Sequence, residues 1–202
     1  MNLSRPGDVR ERIWATLMRS REAIYPLPCH GHHPNFRSAG RAAKRLASQL
    51  FRSGMIAVGE AVLSFPDYVL KPVRRELLER GVNVVVPAKY GGGYRWLRSG
   101  KVDAAKVSSI AGAEREGDAM SELPTVRMTI VACVALDRKG RYLTKGYGFR
   151  PPDETVHLDA ATIVHPLQLV DTLREHDGSV EIFATPGKVV DLSESPARRV
   201  VV

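Results

Sequence analysis

One segment decides how this chain is interpreted: VACVALDRKGRYLTKGYGFRPPDE, residues 131–154. An apolar, β-prone run, residues 129–135, leads into it, and a turn at Lys139-Gly140 is followed by a loop in which glycines alternate with larger residues, 144–149. Glycines allow positive φ and bring bare amides close to an anion, and neighbouring Arg and Lys add positive charge. The segment predicts a phosphate-binding loop after a buried strand. The alternative is an ordinary turn, because Gly-x-Gly after a strand is a weak signal.

Positive charge is concentrated in the first part of the chain. The 202 residues carry a net charge of +8. Residues 1–52 hold ten Arg or Lys against three acids, which gives +7, so the remainder contributes +1. Such a basic region suits nucleic acid, an anionic cofactor or an acidic partner. The alternative is a pair of ordinary solvated helix faces.

Composition and the N-terminal sequence exclude several protein classes. A hydrophobic content of 44% is ordinary for a globular protein, and no apolar run approaches the length of a membrane span. The first residues, MNLSRPGDVRER, lack the apolar stretch of a secretory signal, so a cytoplasmic location is expected. Two cysteines, Cys29 and Cys133, fit no disulfide framework and are predicted to be reduced.

Cys29-His30-Gly31-His32-His33 is a candidate metal-binding cluster. Thiolate and imidazole are good zinc ligands, but closed zinc sites usually add a second, distant pair of ligands, and none with suitable spacing follows. The alternative is a polar loop without metal. Both interpretations stay open at the level of sequence.

Apolar runs and helical patterns alternate along the chain and predict an α/β fold. Residues 55–58 and 82–87 are expected to be strands, and residues 71–80, between them, a helix. Runs that are apolar on both sides suit parallel strands covered by helices on both faces. We expect a single domain over residues 1–202, with residues 192–202 as a tail.

A glycine-rich stretch, KYGGGYRW (residues 89–96), follows the predicted strand at 82–87. Its glycines and aromatics could form a flexible wall against a flat ligand. A hairpin turn whose Tyr94 and Trp96 pack on the core is the equal alternative.

Several spaced motifs resemble one family, the 5-formyltetrahydrofolate cyclo-ligases or methenyltetrahydrofolate synthetases, especially archaeal members and methenyltetrahydrofolate synthetase domain-containing proteins. They occur in family order over residues 8–191. The matching pieces are Val9-Arg10-x-x-Ile13-Trp14, Pro34-Asn35-Phe36-Arg37, Phe65-Pro66-Asp67, Lys71-Pro72-Val73-Arg74, Val85-Val86-Pro87, the glycine loop, Thr162-Ile163-Val164-His165 with Gln168, Glu175-His176-Asp177, and Thr185-Pro186.

The resemblance implies a three-layer α/β sandwich (NagB/RpiA-like) with a mostly parallel sheet and helices on both faces. It also implies an ATP- and Mg²⁺-dependent conversion of 5-formyltetrahydrofolate, or a related reduced pterin, to the 5,10-methenyl form. Lys145 and Arg141 would be catalytic, and Tyr94 and Trp96 would contact the pterin. Asp153 would hold the metal. The residues implied to bind nucleotide are Arg10, Lys145, Gly146, Tyr147 and Gly148.

The glycine loop departs from the family pattern, approximately Arg-Leu-Gly-Lys-Gly-x-Gly-Tyr-Tyr-Asp. Tyr142 stands at its Arg, with Arg141 one residue early, and Thr144 stands at its first Gly. Pro151 occupies the position of the Asp, so Asp153 replaces that carboxylate only in a rearranged loop. Loss of a metal carboxylate usually costs rate more than affinity. The alternative function is therefore a non-catalytic homologue that binds nucleotide, or binds RNA through its basic N-terminal third.

Overall fold

A computed structural model describes residues 5–193 of the chain. Within them the helices are α1 (Pro6–Arg19), α2 (Ala39–Arg52), α3 (Lys71–Glu79), α4 (Ala104–Val107) and α5 (Ile110–Glu116). The strands are β1 (Ala23–Ile24), β2 (Asn35–Phe36), β3 (Ala61–Ser64), β4 (Asn83–Pro87), β5 (Tyr94–Leu97), β6 (Asp118–Met120), β7 (Met128–Ile130), β8 (Ala135–Asp137), β9 (Arg141–Leu143), β10 (Ala160–Ile163), β11 (Leu169–Val170), β12 (Gly178–Ser179), β13 (Ile182–Ala184) and β14 (Val189–Asp191).

The main sheet is mixed and has a parallel centre. In the described part of the chain it has eight strands in the order β14-β13-β10-β7-β3-β4-β5-β6. Strands β13, β10, β7, β3 and β4 run parallel, whereas β14, β5 and β6 are antiparallel additions at the edges. The predicted architecture, a sheet structure with helices on both sides, is confirmed.

Helices α2 and α3 cover one face of this sheet. The inner face of α2 carries apolar residues three and four positions apart, including Ala43, Leu46 and Leu50, all with no exposed surface. These residues pack with Val62, Val84 and other inward-facing side chains of the parallel strands. Burial of this stripe explains why α2 forms although its exposed side is strongly basic.

A second sheet carries the glycine loop. Within residues 5–193 it has four strands in the order β11-β8-β9-β12, and α1 packs against it through Val9, Ile13 and Leu17. The loop begins directly after β9, which ends at Leu143. The first helix of the chain therefore lies close to the loop.

The predicted strand over residues 129–135 is interrupted. β7 ends at Ile130 and β8 begins at Ala135, so residues 131–134 are a buried connection between the two sheets. The buried side chain of Gln168 donates from Nε2 to the carbonyls of Cys133 and Val134, at 2.9 and 3.2 Å. These bonds satisfy two buried carbonyls of the connection.

One other expectation, a strand, is corrected by the structure, and another, the tail, lies mostly outside the described residues. The strand predicted at residues 55–58 is wrong: this segment is a turn in which Ala57 N donates to Glu60 Oε2, and the strand begins at Ala61. Gly59, at φ +88°, turns the chain into that strand. Of the predicted tail, residues 194–202 lie outside the described residues. No helix within residues 5–193 has the length and apolar character needed to cross a bilayer.

Candidate nucleotide-binding site

A cavity of about 640 Å³ lies against the glycine loop. Its walls come mainly from three segments: the loop itself, residues 155–160 before and at the start of β10, and the β12 region around residues 177–181. Phe65 and Val131 supply apolar surface. The cavity is large enough for a sizeable small molecule, and its lining combines apolar and polar side chains.

The first three amides of the loop are held by the protein. Thr144 donates to Asp177 Oδ2 from both its amide and its hydroxyl, at 2.7 Å each. The Lys145 amide donates to His33 Nε2 at 3.1 Å, and the Gly146 amide donates to Thr144 Oγ1 at 3.2 Å. These bonds fix the entrance of the loop before any ligand arrives.

The next four amides are different. Across residues 5–193, no protein acceptor takes the amides of Tyr147, Gly148, Phe149 or Arg150. Tyr147, Phe149 and Arg150 line the cavity. A run of unpaired N–H groups beside a cavity is an arrangement that binds anions, because the dipoles add without the desolvation cost of a charged side chain.

Two glycines give the loop its path. Gly146 and Gly148 have φ of +94° and +96°, which residues with a Cβ rarely adopt. A Cβ at Gly148 would lie 3.2 Å from Cε of Lys145, and one at Gly146 would lie 3.6 Å from Cζ of Arg10. The glycines therefore let the chain pass closely over both cations.

Arg10, for which the resemblance implies nucleotide binding, reaches this loop from α1. Its Nε donates to the carbonyl of Thr144 at 2.6 Å, and its guanidinium lies 3.5 Å from Asp177 Oδ2. The side chain is largely buried, with 17% exposure. Arg10 thus joins the helix, the loop and the Asp177 carboxylate, and it places positive charge directly behind Gly146.

Lys145 is held by a buried His–Asp pair. Its Nζ lies 3.6 Å from Asp67 Oδ1 and 5.1 Å from the centre of the Tyr147 ring. Nδ1 of His33 lies 2.8 Å from the same Asp67 oxygen. Because Nε2 of His33 accepts from the Lys145 amide, the proton of the neutral ring is assigned to Nδ1, facing Asp67. Backbone and side chain of Lys145 are therefore fixed by one polar cluster.

Arg74 positions Asp67 at the end of β3. It is a buried arginine, 1% exposed, that donates to the carbonyls of Phe65, Asp67 and Ser108 at 2.8, 3.2 and 2.7 Å. Burial lowers the pKa of Arg74 to about 10. Burial by itself would raise the pKa of Asp67, but the contact with His33 and the charges of Lys145 and Arg74 hold that pKa below its ordinary value.

Arg141, predicted to be catalytic, has another set of partners. Its Nε donates to Asp137 Oδ2 at 2.8 Å, and its guanidinium also donates to Thr172 Oγ1 at 2.7 Å. Asp137 has no exposed surface and also accepts from the amides of Lys139 and Leu173, so its pKa is held below the ordinary value despite burial. Arg141 does not line the cavity. These contacts favour a structural role in the β8–β9 turn over the predicted catalytic one.

Asp153, predicted to hold a metal, is exposed at the start of a short 3₁₀ turn and does not line the cavity. Asp159, Asp177 and Glu181 supply the cavity's carboxylates. Asp177 is occupied by Thr144 and Arg10, and Glu181 Oε2 accepts from the Ala160 amide at 2.5 Å. Within residues 5–193, no three His, Cys, Asp or Glu side chains are grouped as metal ligands. The donor set does not fit a resident, protein-built metal centre.

The side chains of the Cys29–His33 cluster have separate partners in the fold. Cys29 is fully buried against the carbonyl of Trp14, and burial raises the pKa of its thiol. His30 lies 3.2 Å from Glu11, whereas His33 faces Asp67 and the glycine loop. Of the two interpretations, these contacts favour the polar loop over a metal site. Both cysteines are free thiols, as expected.

Tyr94 and Trp96 lie on β5, which pairs with β4 as a hairpin. Tyr94 lines a second cavity of about 550 Å³ at the glycine-rich turn, and Phe149 lines both cavities. Trp96 lines neither of these two, and Arg98 lies 4.3 Å above its ring. The pairing of β4 with β5 forms the expected hairpin, and both aromatics pack against buried core residues. Of the two predicted substrate contacts, only Tyr94 lines one of these two cavities.

Three residues of the site were not assigned a role in the loop from the sequence: His33, which was considered only as a metal ligand, Asp67 and Asp177. Each lies in or beside a stretch that carries the family resemblance, namely the segment before Pro34-Asn35-Phe36, the Phe65-Pro66-Asp67 turn and Glu175-His176-Asp177. Their position in or beside these family-like stretches was the sequence signal that could have identified them. Their convergence on one loop depends on contacts between residues up to 112 positions apart.

Comparisons with known proteins agree with the resemblance. No protein-family model matches the chain. The chain is 26% identical to methenyltetrahydrofolate synthase domain-containing proteins of Bos taurus and Homo sapiens over 91% of its length. It covers 53% and 52% of those proteins, so the chain spans about half the length of the curated relatives it matches.

The fold has a solved counterpart. The NMR structure of 5,10-methenyltetrahydrofolate synthetase from Aquifex aeolicus aligns with a TM-score of 0.57 at 16% identity, covering 98% of this chain and 96% of that one. At this identity the match establishes the fold alone. The curated relatives confirm the predicted resemblance of this chain to the methenyltetrahydrofolate synthetase family.

Proposed function

We propose that this protein is a cytoplasmic, ATP-dependent 5-formyltetrahydrofolate cyclo-ligase, or acts likewise on a related reduced pterin, forming the 5,10-methenyl product. The similarity to methenyltetrahydrofolate synthase domain-containing proteins supports the class of reaction. One observation carries the proposal: the run of unpaired amides from Tyr147 to Arg150, at the wall of a 640 Å³ cavity and next to Lys145.

The proposed reaction needs negative charge to be stabilised on a transferring phosphoryl group. The formyl oxygen on N5 of the folate attacks the γ-phosphorus, and the bond from that phosphorus to the ADP oxygen breaks. N10 then attacks the formyl carbon, the carbon–oxygen bond breaks, and inorganic phosphate leaves together with the N10 proton. Donors that are already oriented lower this barrier, because they need no reorganisation as charge develops.

The residues of the loop have distinct parts in this proposal. The amides of residues 147–150 bind phosphate oxygens, and the ammonium of Lys145 neutralises charge that develops on them. Arg10 holds the loop from behind through the Thr144 carbonyl and adds its field. When bound, Mg²⁺ would shield the phosphates. It would enter with the nucleotide, since such ions keep several waters and need only one or two carboxylates, for which Asp159 is the cavity candidate.

We assign the reduced pterin to the region where the two cavities meet. Phe149 lines both, stands edge-on to Phe65 with 5.2 Å between ring centres, and is accompanied by Tyr94 in the second cavity. Flat aromatic walls suit a pterin ring, and edge-to-face packing keeps Phe149 oriented. The formyl group would then lie near the glycine loop.

A substitution at Gly148 tests the proposal. Wild type should convert 5-formyltetrahydrofolate to the methenyl form, followed by absorbance, only when ATP and Mg²⁺ are present. Gly148→Ala should lose most of that activity, because the new Cβ strains the +96° backbone. Gly40→Ala, on the exposed face of α2 with nothing within 4 Å, is the matched control. Absence of conversion at high protein concentration overturns the catalytic proposal.

A non-catalytic nucleotide-binding protein is the second candidate, and two observations favour it. Pro151 stands where the family pattern has a carboxylate, and Asp153 does not line the cavity. Nucleotide binding measured by calorimetry, together with absent conversion, would select this candidate. Binding that is absent as well would exclude both.

A further inference from the structure

The outer face of α2 is a basic groove that the proposed reaction does not use. A depression of about 680 Å³ runs along this helix and is bordered by Arg80 of the α3 end and Val189 of β14. The cations of α2 that line it are Arg41, Lys44, Arg45 and Arg52. All four side chains are exposed. We call this surface the α2 groove.

The cations of the α2 groove have no acidic partners. Within residues 5–193, none of the four α2 cations pairs with a carboxylate; Arg45 Nε donates to the Pro186 carbonyl at 3.1 Å. Other exposed cations do face an acid, namely Arg75 with Glu79, Lys106 with Asp103, Arg115 with Glu116, and Arg138 with Asp171.

The like charges of α2 lower the stability of this helix. No Asp or Glu occurs between Glu22 and Glu60. Arg41 and Arg45 are four positions apart, and like charges at that spacing destabilise a helix. A solvated face without a partner would gain from even one acidic residue at such a position.

The dimensions and chemistry of the groove identify a class of ligand. From Arg41 to Arg52 the helix rises by roughly 16 Å. One strand of a duplex advances about 3.4 Å per nucleotide along the axis and a single strand is more extended, so the cations span at most about five phosphates. Three of the four are arginines, whose planar guanidinium binds phosphate oxygens in pairs. Most of the lining residues lie on one helix, so the cations form a line that suits a linear polyanion better than a membrane surface.

We propose that the α2 groove binds the phosphodiester backbone of single-stranded nucleic acid, without base preference. Guanidinium and ammonium groups contact successive phosphates, and binding releases counterions. RNA and DNA offer the same backbone chemistry to these cations. The site is separate in sequence from the glycine loop, and its function does not depend on the proposed cyclo-ligase reaction.

The test compares two variants of equal charge. In the groove variant Arg41, Lys44, Arg45 and Arg52 become Gln; in the control Arg75, Lys106, Arg115 and Arg138 become Gln. Each loses three arginines and one lysine, but only the first set lines the groove. Fluorescence anisotropy with 12-nucleotide RNA and DNA strands of mixed sequence, over a salt series, measures affinity for the full chain. Circular dichroism checks that both variants fold.

The expected outcome is at least about a tenfold loss of affinity in the groove variant, with the slope of log K against log salt reduced by about 3 to 4. The control should stay within roughly twofold of wild type. Equal losses in both variants would overturn the proposal, because net charge alone would then explain binding. So would absent binding at low salt, or tighter binding of polyglutamate or anionic vesicles than of nucleic acid of equal charge.

Discussion

The Nε2 atom of His33 accepts a hydrogen bond at 3.1 Å from the amide of Lys145, 112 positions later in the chain. The opposite ring nitrogen faces Asp67, which also lies near the Lys145 ammonium. A buried imidazole thus connects the turn after β3 with the glycine loop. This relationship makes His33 a positioning residue for the loop rather than a group that acts on substrate.

Replacement of His33 should loosen the loop. His33→Ala removes the acceptor of the Lys145 amide and the partner of Asp67, so we expect nucleotide affinity to fall by roughly tenfold. Hydrogen exchange at residues 144–149 should accelerate in parallel. The neighbouring His32→Ala, at an exposed position, is the control. Unchanged exchange in His33→Ala would contradict the positioning role.

Acid should destabilise the protein partly through Asp67. Its folded pKa lies below the ordinary value of 3.8, so the ionised carboxylate contributes stability that is complete above that value and is lost as pH falls through the folded pKa. Asp67→Asn should therefore lose less free energy of unfolding than wild type between about pH 5 and pH 2. Urea titrations at several pH values measure this. Asp171→Asn, in an exposed pair with Arg138, should behave like wild type.

Substitutions at Arg141 and Arg10 should affect different properties. Arg141 should matter for the stability of the fold, and Arg10 for nucleotide binding. Arg141→Gln leaves the buried Asp137 carboxylate without its guanidinium, and we expect a loss of about 2 kcal/mol in unfolding free energy, moderated by the partial exposure of Arg141. Nucleotide affinity should change less than about twofold.

Arg10→Gln should show the reverse pattern. It removes charge from behind Gly146 and the bond to Thr144 O, so nucleotide affinity should fall by roughly tenfold with a smaller change in stability. Chemical denaturation and calorimetry give both quantities for each variant. If Arg141 were catalytic, Arg141→Gln would instead lose turnover while its free energy of unfolding stayed unchanged.

Replacement of Phe149 should weaken the interaction with the folate and leave the interaction with the nucleotide unchanged. Phe149→Leu keeps apolar volume but removes the aromatic wall shared by the two cavities. We expect KM for 5-formyltetrahydrofolate to rise several-fold, by roughly the value of one aromatic contact, with KM for ATP unchanged. Phe51→Leu, on α2 and outside both cavities, is the control. A parallel rise in both KM values would place Phe149 in the nucleotide site instead.

The sequence by itself predicted much of the fold. The helical pattern over residues 71–80 identified α3, and the apolar run at residues 82–87 identified β4, because these patterns reflect burial on one or both faces of local elements. The glycines of the loop were equally local signals, since their positive φ is a property of the residue itself. The predicted strand at residues 55–58 failed because a short apolar run does not reveal whether a neighbouring strand pairs with it.

Only the tertiary structure decided which side chains share the loop. Arg141 and Arg10 were both expected at the site, yet Arg141 is bound by Asp137 within its own turn, whereas Arg10 crosses from α1 to the Thr144 carbonyl. In the Cys29–His33 cluster, Cys29 is buried in a core, His30 lies against Glu11 of α1, and His33 lies beside Lys145. Neighbours in sequence diverged and distant residues met, because side-chain direction depends on the packing of whole elements. Sequence determined the loop; packing determined its partners.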